Sequence, residues 1–271
     1  MSSPLDAVAD WPVTAAVAVV GPDGTRRRGD PFVPRPWASV TKLLVALSAL
    51  VAVEEGSLDL DTPAGPPGST VRHLLAHASG LGLDGDEARA APGARRIYSN
   101  RGIELAAGAL EAATGFAFAD YLAGAVLEPL GMAGTRLEGS PAWGGRGPLT
   151  DLLALAAELR SPTLVDPATL AAATAPAFAG IGGVLPGFGH QAHNDWGLGF
   201  EVRDHKSPHW TGARCSPATF GHFGQSGAFL WVDPAVGVAC CGVADTAFGP
   251  WAAAAWPALS DSVLAAYTDR R

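Results

Sequence analysis

Residues 39–55 read Ser-Val-Thr-Lys-Leu-Leu-Val-Ala-Leu-Ser-Ala-Leu-Val-Ala-Val-Glu-Glu, and Gly56 follows in the position of a helix stop. Leucine, valine and alanine fill this segment with almost no polar face, and a helix that is apolar all round is buried. We therefore predict a helix that runs through the middle of the protein. Ser39 lies in its first turn, and Lys42 lies three residues later on the same face.

Strand patterns occur at both ends of the chain. The apolar run from Val13 to Val20, the turn residues 21–24 and a second extended run through Arg28 predict a β-hairpin. Residues 229–232 and 236–243 flank Asp233-Pro234 in a second strand-turn-strand pattern. Capped, helix-like segments lie between the two hairpins and after the second, at 71–78, 103–114, 118–127, 151–159 and 251–267. This order predicts one sheet built from both chain ends and packed by helices.

Composition excludes several function classes. The 271 residues include 18 Lys+Arg and 26 Asp+Glu, a net charge of −8. Because phosphate binding needs a basic face, we expect no nucleic-acid partner. An uninterrupted membrane-length apolar run and the pattern of a signal peptide are both missing, so we expect a cytoplasmic protein that contacts no membrane. The three cysteines, Cys215, Cys240 and Cys241, are interpreted as buried thiols.

The rare polar residues form the first chemical motif. The only lysines of the chain are Lys42 and Lys206, and Ser39 precedes Lys42 by three. A lysine in an apolar helix needs partners or loses its charge, and a neutral amine is able to take the proton of a serine hydroxyl. The alternative is ordinary: a serine that caps a helix and a lysine that reaches the surface. Tyr98-Ser99-Asn100, at the entry to another helix, favours the chemical interpretation.

Three motifs in this order resemble a known family. Ser39-Val40-Thr41-Lys42, Tyr98-Ser99-Asn100 and His222-Phe223-Gly224 are similar to the motifs of the serine β-lactamase and penicillin-binding-protein superfamily. The resemblance is to the class C β-lactamase-like branch, which includes esterases, D-aminopeptidases and D-alanyl-D-alanine carboxypeptidases. Residues 74–81, 128–132 and 196–199 also match segments of that family. The resemblance covers roughly residues 11 to 245.

The resemblance implies a fold and a set of roles. The fold is α/β (α+β) and transpeptidase-like, a mostly antiparallel sheet with helices and an all-helical lobe. We assign 1–45 and 176–271 to the sheet-containing part and 46–175 to the lobe, in one structural unit. The implied catalytic residues are Ser39 as the acylated nucleophile, Lys42, and Tyr98 with a phenol pKa lowered by Lys42; the base is left open between the last two. The implied substrate-binding residues are Asn100, His222, Gly224 and Gln225, with the backbone N–H groups of Ser39 and Gln225 as oxyanion hole.

One motif departs from that of most β-lactamases, which place a lysine and a hydroxyl residue where His222 and Phe223 stand. The resemblance at this point is to esterases and D-peptidases, and it implies a titratable cation at His222. A counterpart of the class A deacylating glutamate is missing, which leaves a route through Tyr98.

We therefore expect a serine hydrolase that acts on a small ester, D-amino-acid amide or β-lactam. The alternative is a catalytically weak penicillin-binding or ligand-sensing module with the same cleft. No cofactor and no metal are expected, because the histidine pairs 73/77, 190/193 and 205/209 lack a third ligand at a fixed spacing. The tryptophans at 143, 196, 210 and 231 are interpreted as core residues or as the lining of an acyl pocket. The oligomeric state is left open.

Overall fold

Strands from both ends of the chain meet in one sheet in the computed structural model, which describes residues 3–269. The strands are β1 (Ala15–Gly21), β2 (Gly24–Arg28), β3 (Arg35–Pro36), β4 (Arg136–Leu137), β5 (Gly145–Gly147), β6 (Gly183–Leu185), β7 (Gly189–Gln191), β8 (Glu201–Val202), β9 (Phe220–Phe223), β10 (Phe229–Asp233) and β11 (Val238–Ala244). Six of them pair antiparallel in the order β2-β1-β11-β10-β9-β8. The predicted antiparallel sheet and both predicted hairpins are confirmed.

The predicted helices are also present. They are α1 (Thr41–Glu54), α2 (Val71–Leu75), α3 (Asn100–Thr114), α4 (Phe118–Leu122), α5 (Leu149–Arg160), α6 (Pro167–Thr174) and α7 (Pro250–Thr268). Short 3-10 segments cover Asp6–Asp10 and Ala38–Val40, and a π-helical segment covers Ala123–Leu127. At the start of α3 the cap is Ser99, whose Oγ accepts the backbone N–H of Gly102. This bond leaves the side chain of Asn100 available for other contacts.

Helices cover both faces of the six-stranded sheet. On β1, Ala16 and Ala18 belong to the core that contains α1, whereas Val17 and Val19 pack in the core that contains α7. This alternation is the period of two expected for a strand buried on both faces. Residues 41–52 of α1 are all buried, so the central helix predicted from its composition is confirmed.

The predicted boundary at 46–175 between a helical lobe and the sheet-containing part stays a prediction. Within that range α5 packs against β1, β10 and β11. Residues 1, 2, 270 and 271 lie outside the described part, and the expectation that a signal-peptide pattern is missing falls partly on the first two of them. Among residues 3–269 no single helix is long and apolar enough to cross a membrane; α3 and Phe118–Leu127 together have the length and composition but bend by 82°.

Candidate active site

The turn that carries Ser39 is held against β5. The backbone N–H of Trp37 donates to Gly145 O at 2.8 Å, and Thr41 Oγ1 accepts the N–H of Gly145 at 2.9 Å while donating to Ala38 O at 2.6 Å. Ala38 has a φ of 46°, a left-handed conformation that is rare for a residue with a Cβ. These contacts hold the strained residue directly before Ser39 and fix the start of the helix.

The side chain of Lys42 is fully buried and has three hydrogen-bond partners. Its Nζ lies 3.2 Å from Ser39 Oγ, 2.8 Å from Asn100 Oδ1 and 2.8 Å from the carbonyl oxygen of Ala142. The nitrogen therefore has a fixed position beside the hydroxyl of Ser39. The spacing of three residues on one helix face, predicted from the sequence, produces this approach.

Burial decides the charge of Lys42. Desolvation lowers the pKa of its amine to about 7, although the negative charges of Asp84 and Glu104 act in the opposite direction. At neutral pH a large fraction of this lysine is thus an uncharged amine, which is able to accept a proton.

Tyr98 packs inside an aromatic cluster. The centre of its ring lies 4.8 Å from Lys42 Nζ, 4.6 Å from the ring of His77 and 5.7 Å from the ring of Trp196. Burial raises the pKa of the Tyr98 phenol, and a hydrogen bond with Ser39 has a smaller effect in the other direction. The expectation that Lys42 lowers this pKa is wrong, because desolvation outweighs the effect of its partners and Lys42 is itself only partly charged. Tyr98 therefore keeps its proton at neutral pH.

Asn100 connects the lysine to the neighbouring loop. Its Oδ1 faces Lys42, and its Nδ2 donates to Asp84 Oδ1 at 3.2 Å. Both ends of the amide thus have partners within the protein, whereas the resemblance implied contacts with substrate. Its role as a substrate-binding residue stays a prediction.

His222 lies buried on β9. The centre of its ring lies 5.4 Å from that of Trp196 and 5.8 Å from that of Tyr98. Its Nδ1 lies 2.6 Å from Phe223 O, an atom that only accepts, so Nδ1 carries the hydrogen. Burial, with the charge of Lys42 adding to it, lowers the pKa of the ring to about 3. The expected titratable cation is therefore absent at this position: His222 is neutral, and its buried Nε2 has no partner among the described residues.

The strand end after His222 lies against the turn of Ser39. A Cβ built on Gly224 would lie 2.1 Å from Trp37 O, so only glycine permits this approach. The resemblance implied that Gly224 binds substrate, and the structure shows that a glycine is also required here for packing. The backbone N–H groups of Ser39 and Gln225 donate no hydrogen bond within residues 3–269, and both residues line the same cavity. Two free N–H donors beside the serine are what an oxyanion hole needs.

These residues line a cavity of about 650 Å³. Ser39, Tyr98, Asn100, His222 and Gln225 all contribute to its surface, as do the exposed side chains of Leu83, Val184, Arg89 and Arg95. Of the four tryptophans considered above, Trp196 lines the cavity, Trp210 and Trp231 lie in the core, and Trp143 is 49 % exposed.

Several histidines of these pairs have other partners. His73 completes a capping box with Thr70, His77 Nδ1 accepts the N–H of Ser99 at 3.2 Å, and His209 Nε2 lies 2.9 Å from Glu201. Within the described range, side chains of histidine, cysteine, aspartate and glutamate form no group of three or more that could hold a metal ion.

Sequence reasoning missed several residues of the site. The carbonyl of Ala142 reaches Lys42 from a loop 100 positions away, and Ser140 in that loop donates from its hydroxyl to Glu104 Oε1 at 2.6 Å. Arg89 and Arg95 also belong to the cavity wall. None of these positions lies within a motif, and only the folded chain brings them together.

The sheet, the central helix and the serine–lysine pair at its start define a β-lactamase/transpeptidase-like protein. The chain belongs to the β-lactamase family, whose model matches residues 12–264. It is similar to the crystal structure of a β-lactamase from Mycobacterium bovis, with 52 % identity, a TM-score of 0.96, and coverage of 98 % of this chain and 100 % of that one. The family predicted from the three motifs is thereby confirmed.

More distant structures share the fold. EstCE1, described as a hydrolase with promiscuous acyltransferase activity, is 18 % identical with a TM-score of 0.77, and the match covers 96 % of each chain. A D-stereospecific amidohydrolase from Streptomyces sp. is also 18 % identical, with a TM-score of 0.71 and coverage of 99 % of this chain and 97 % of that one. Among curated proteins none matches this sequence significantly.

Proposed function

We propose that this protein is a serine hydrolase that forms an acyl-enzyme on Ser39 and then hydrolyses it. The observation that carries the proposal is the position of Lys42 Nζ, 3.2 Å from Ser39 Oγ, together with a pKa of about 7 for that amine. A serine hydroxyl becomes a nucleophile when a base stands within hydrogen-bond reach. A buried amine that is partly neutral at pH 7 fits that role.

In the proposed acylation, Lys42 takes the hydroxyl proton of Ser39 as Oγ bonds to the substrate carbonyl carbon. The backbone N–H groups of Ser39 and Gln225 bind the oxyanion. As the bond from carbonyl carbon to leaving group breaks, the leaving group takes the proton of the Lys42 ammonium, while the Tyr98 hydroxyl, which hydrogen-bonds Ser39, holds Oγ in place. Water then attacks the acyl carbon and gives a proton to Lys42; the bond from the acyl carbon to Ser39 Oγ breaks, Oγ takes that proton from Lys42, and the acid leaves with Ser39 restored.

The substrate proposed is a small ester, a D-amino-acid amide or a β-lactam, with esters and D-amino-acid amides ahead of β-lactams. Phe223 and neutral His222 favour that order, because a hydroxyl donor and a fixed cation at these positions are missing. The names of the similar structures support an acyl-transfer reaction of this kind, since they include a β-lactamase, a hydrolase with promiscuous acyltransferase activity and a D-stereospecific amidohydrolase.

The experiment is intact-protein mass spectrometry after mixing with an activated short-chain ester and, separately, with a penicillin. We expect a mass increase of one acyl group with at least one reagent, and we expect it to persist in Ser57→Ala, which changes an exposed serine. The adduct should be lost in Ser39→Ala. The decay rate of the adduct separates a hydrolase from a penicillin-binding module. No adduct and no turnover with either reagent would contradict the enzymatic proposal and favour a ligand-sensing module.

A further inference from the structure

The cavity wall between α2 and α3 carries two arginines whose side chains have no partner in the described part of the chain. Arg89 and Arg95 both line the cavity that contains Ser39, and both side chains are exposed. Neither side chain forms an ion pair or a hydrogen bond within residues 3–269. The whole chain has a net charge of −8, so two unpaired guanidinium groups give the wall of this cavity a charge opposite in sign to that of the chain.

Two of the three carboxylates in the same segment have other partners, and the third, Glu87, does not line the cavity. Asp84 accepts from Asn100 Nδ2 at 3.2 Å, and Asp86 accepts from Arg101 Nε at 2.5 Å, so both bind the start of α3. Glu201 is the acid among the described cavity-lining residues, and it is buried with Lys206 and His209. The charges of Arg89 and Arg95 are therefore not neutralised by an acid of the cavity wall.

Backbone contacts hold this wall in place. The N–H of Arg89 donates to Gly80 O at 2.8 Å, and a Cβ built on Gly82 would lie 2.8 Å from Arg89 Nε, so the guanidinium lies over a glycine. Arg95 adjoins Arg96, which is buried and donates to the carbonyls of Asn194, Ala76, Ala177 and Phe178. Arg96 thus has a structural role and anchors the segment. Its neighbour Arg95 lines the cavity with an exposed side chain.

Other groups near the serine are poor anion ligands. His222 is neutral, since its pKa is about 3, and its Nε2 offers a lone pair that would repel a carboxylate. Lys42 is buried, and its Nζ already forms hydrogen bonds with Ser39, Asn100 and Ala142. A planar guanidinium is well suited to bind a carboxylate, with two parallel N–H···O bonds.

We propose that Arg89 and Arg95 form an anion subsite that binds a carboxylate on the substrate, so that the preferred substrates are esters or amides with an apolar chain and a free carboxylate. The apolar part has a surface to contact in Leu83 and Val184, which line the cavity and are 49 % and 57 % exposed. The inference rests on the proposed function for the reaction itself, while the binding of the anion stands on the arginines alone.

The test compares matched esters that differ in one carboxylate. The first pair is the para-nitrophenyl monoester of glutaric acid and para-nitrophenyl valerate, with the charge on the acyl side. The second is para-acetoxybenzoate and phenyl acetate, with the charge on the leaving group. In the double variant Arg89→Gln/Arg95→Gln, we expect kcat/KM to fall about tenfold for the carboxylate ester of at least one pair and less than about twofold for its neutral partner.

The control is Arg27→Gln, which removes an exposed positive charge on β2, outside the cavity. It should leave the ratio of the two esters unchanged. Equal losses for the two esters in both pairs, or no loss in either pair, would overturn the anion subsite. Binding of the same carboxylate esters to Ser39→Ala, measured by calorimetry with and without the two arginines, keeps the test independent of catalysis. If no ester acylates Ser39 but binding still depends on the arginines, the proposed function fails while the subsite stands.

Discussion

The side-chain nitrogen of Lys42 lies over the face of the Tyr98 ring, 4.8 Å from the ring centre. The hydrogen-bond partners of this nitrogen are Ser39, Asn100 and Ala142, so the lysine contacts the π system of Tyr98 while its protons point elsewhere. Burial shifts the pKa values of the two groups in opposite directions: it lowers the pKa of the amine and raises the pKa of the phenol. Near neutral pH the amine titrates and the phenol does not.

The pH dependence of acylation should follow Lys42. A base accepts a proton only when it is unprotonated, so the acylation rate should rise with pH, with a midpoint at a pKa of about 7, and then level off. Stopped-flow release of para-nitrophenol from an activated ester, measured from about pH 5 to pH 9, gives this profile. A rise centred above about pH 9 would instead assign the role of base to the phenolate of Tyr98.

Removing the charge of Glu104 should shift this profile. Glu104 raises the pKa of Lys42, so Glu104→Gln should lower that pKa and move the acid limb of the acylation profile to lower pH. The glutamine keeps an oxygen that accepts from Ser140 Oγ. Asp120→Asn, on the exposed side of α4, is the charge-matched control and should leave the limb in place. A limb that stays put in Glu104→Gln would show that this carboxylate does not influence the lysine.

Burying the amine of Lys42 should cost stability, and Lys42→Met tests this. The pKa of Lys42 is lower in the folded chain than in the unfolded chain, so the unfolded state binds more protons between pH 7 and the ordinary lysine pKa of 10.5. The wild-type free energy of unfolding therefore rises with pH across that window. Lys42→Met should be more stable than wild type by about 1–4 kcal/mol near pH 6 and by less near pH 10, while acylation is lost.

Urea unfolding at several pH values measures the difference between Lys42→Met and wild type. Ser48→Ala, in the same helix, is a matched control because its buried Oγ has no partner among the described residues and does not titrate near neutral pH. Its effect on stability should not vary with pH. A Lys42→Met variant that is less stable at pH 6 than at pH 10, relative to wild type, would contradict the direction of the pKa shift.

Adding one carbon at Gly224 should damage both stability and activity. The Cβ of alanine would lie 2.1 Å from Trp37 O, so β9 and the turn before Ser39 must separate. We expect Gly224→Ala to lose about 1–3 kcal/mol of unfolding free energy and most of its acylation rate, because Gln225 N–H moves away from Ser39. Gly108→Ala, in α3 with nothing within 4 Å of the new carbon, should instead gain about 0.5–1 kcal/mol. Thermal unfolding and ester turnover are the two measurements; normal turnover in Gly224→Ala would exclude Gln225 N–H from the oxyanion hole.

Local patterns in the sequence determined the elements of the fold. The apolar segment after Ser39 has the composition of a buried helix, and residues 41–52 are buried. The apolar run from Val13 to Val20 and the turn residues 21–24 are equally local, since a strand and the tight turn after it depend on neighbours in sequence. The order of the three motifs also identified the family, which the match over residues 12–264 confirms.

The tertiary structure alone decided the chemistry of the groups in those motifs. A protonation state depends on which atoms surround a group, and these atoms come from distant parts of the chain: Ala142 lies 100 positions from Lys42, and Asn100 lies 58 positions from it. For this reason the sequence predicted Ser39 beside Lys42 correctly but assigned the wrong shift to Tyr98 and a titratable cation to His222. The arginines of the cavity wall could not be found from a motif, because facing a shared cavity is a property of packing and not of local sequence.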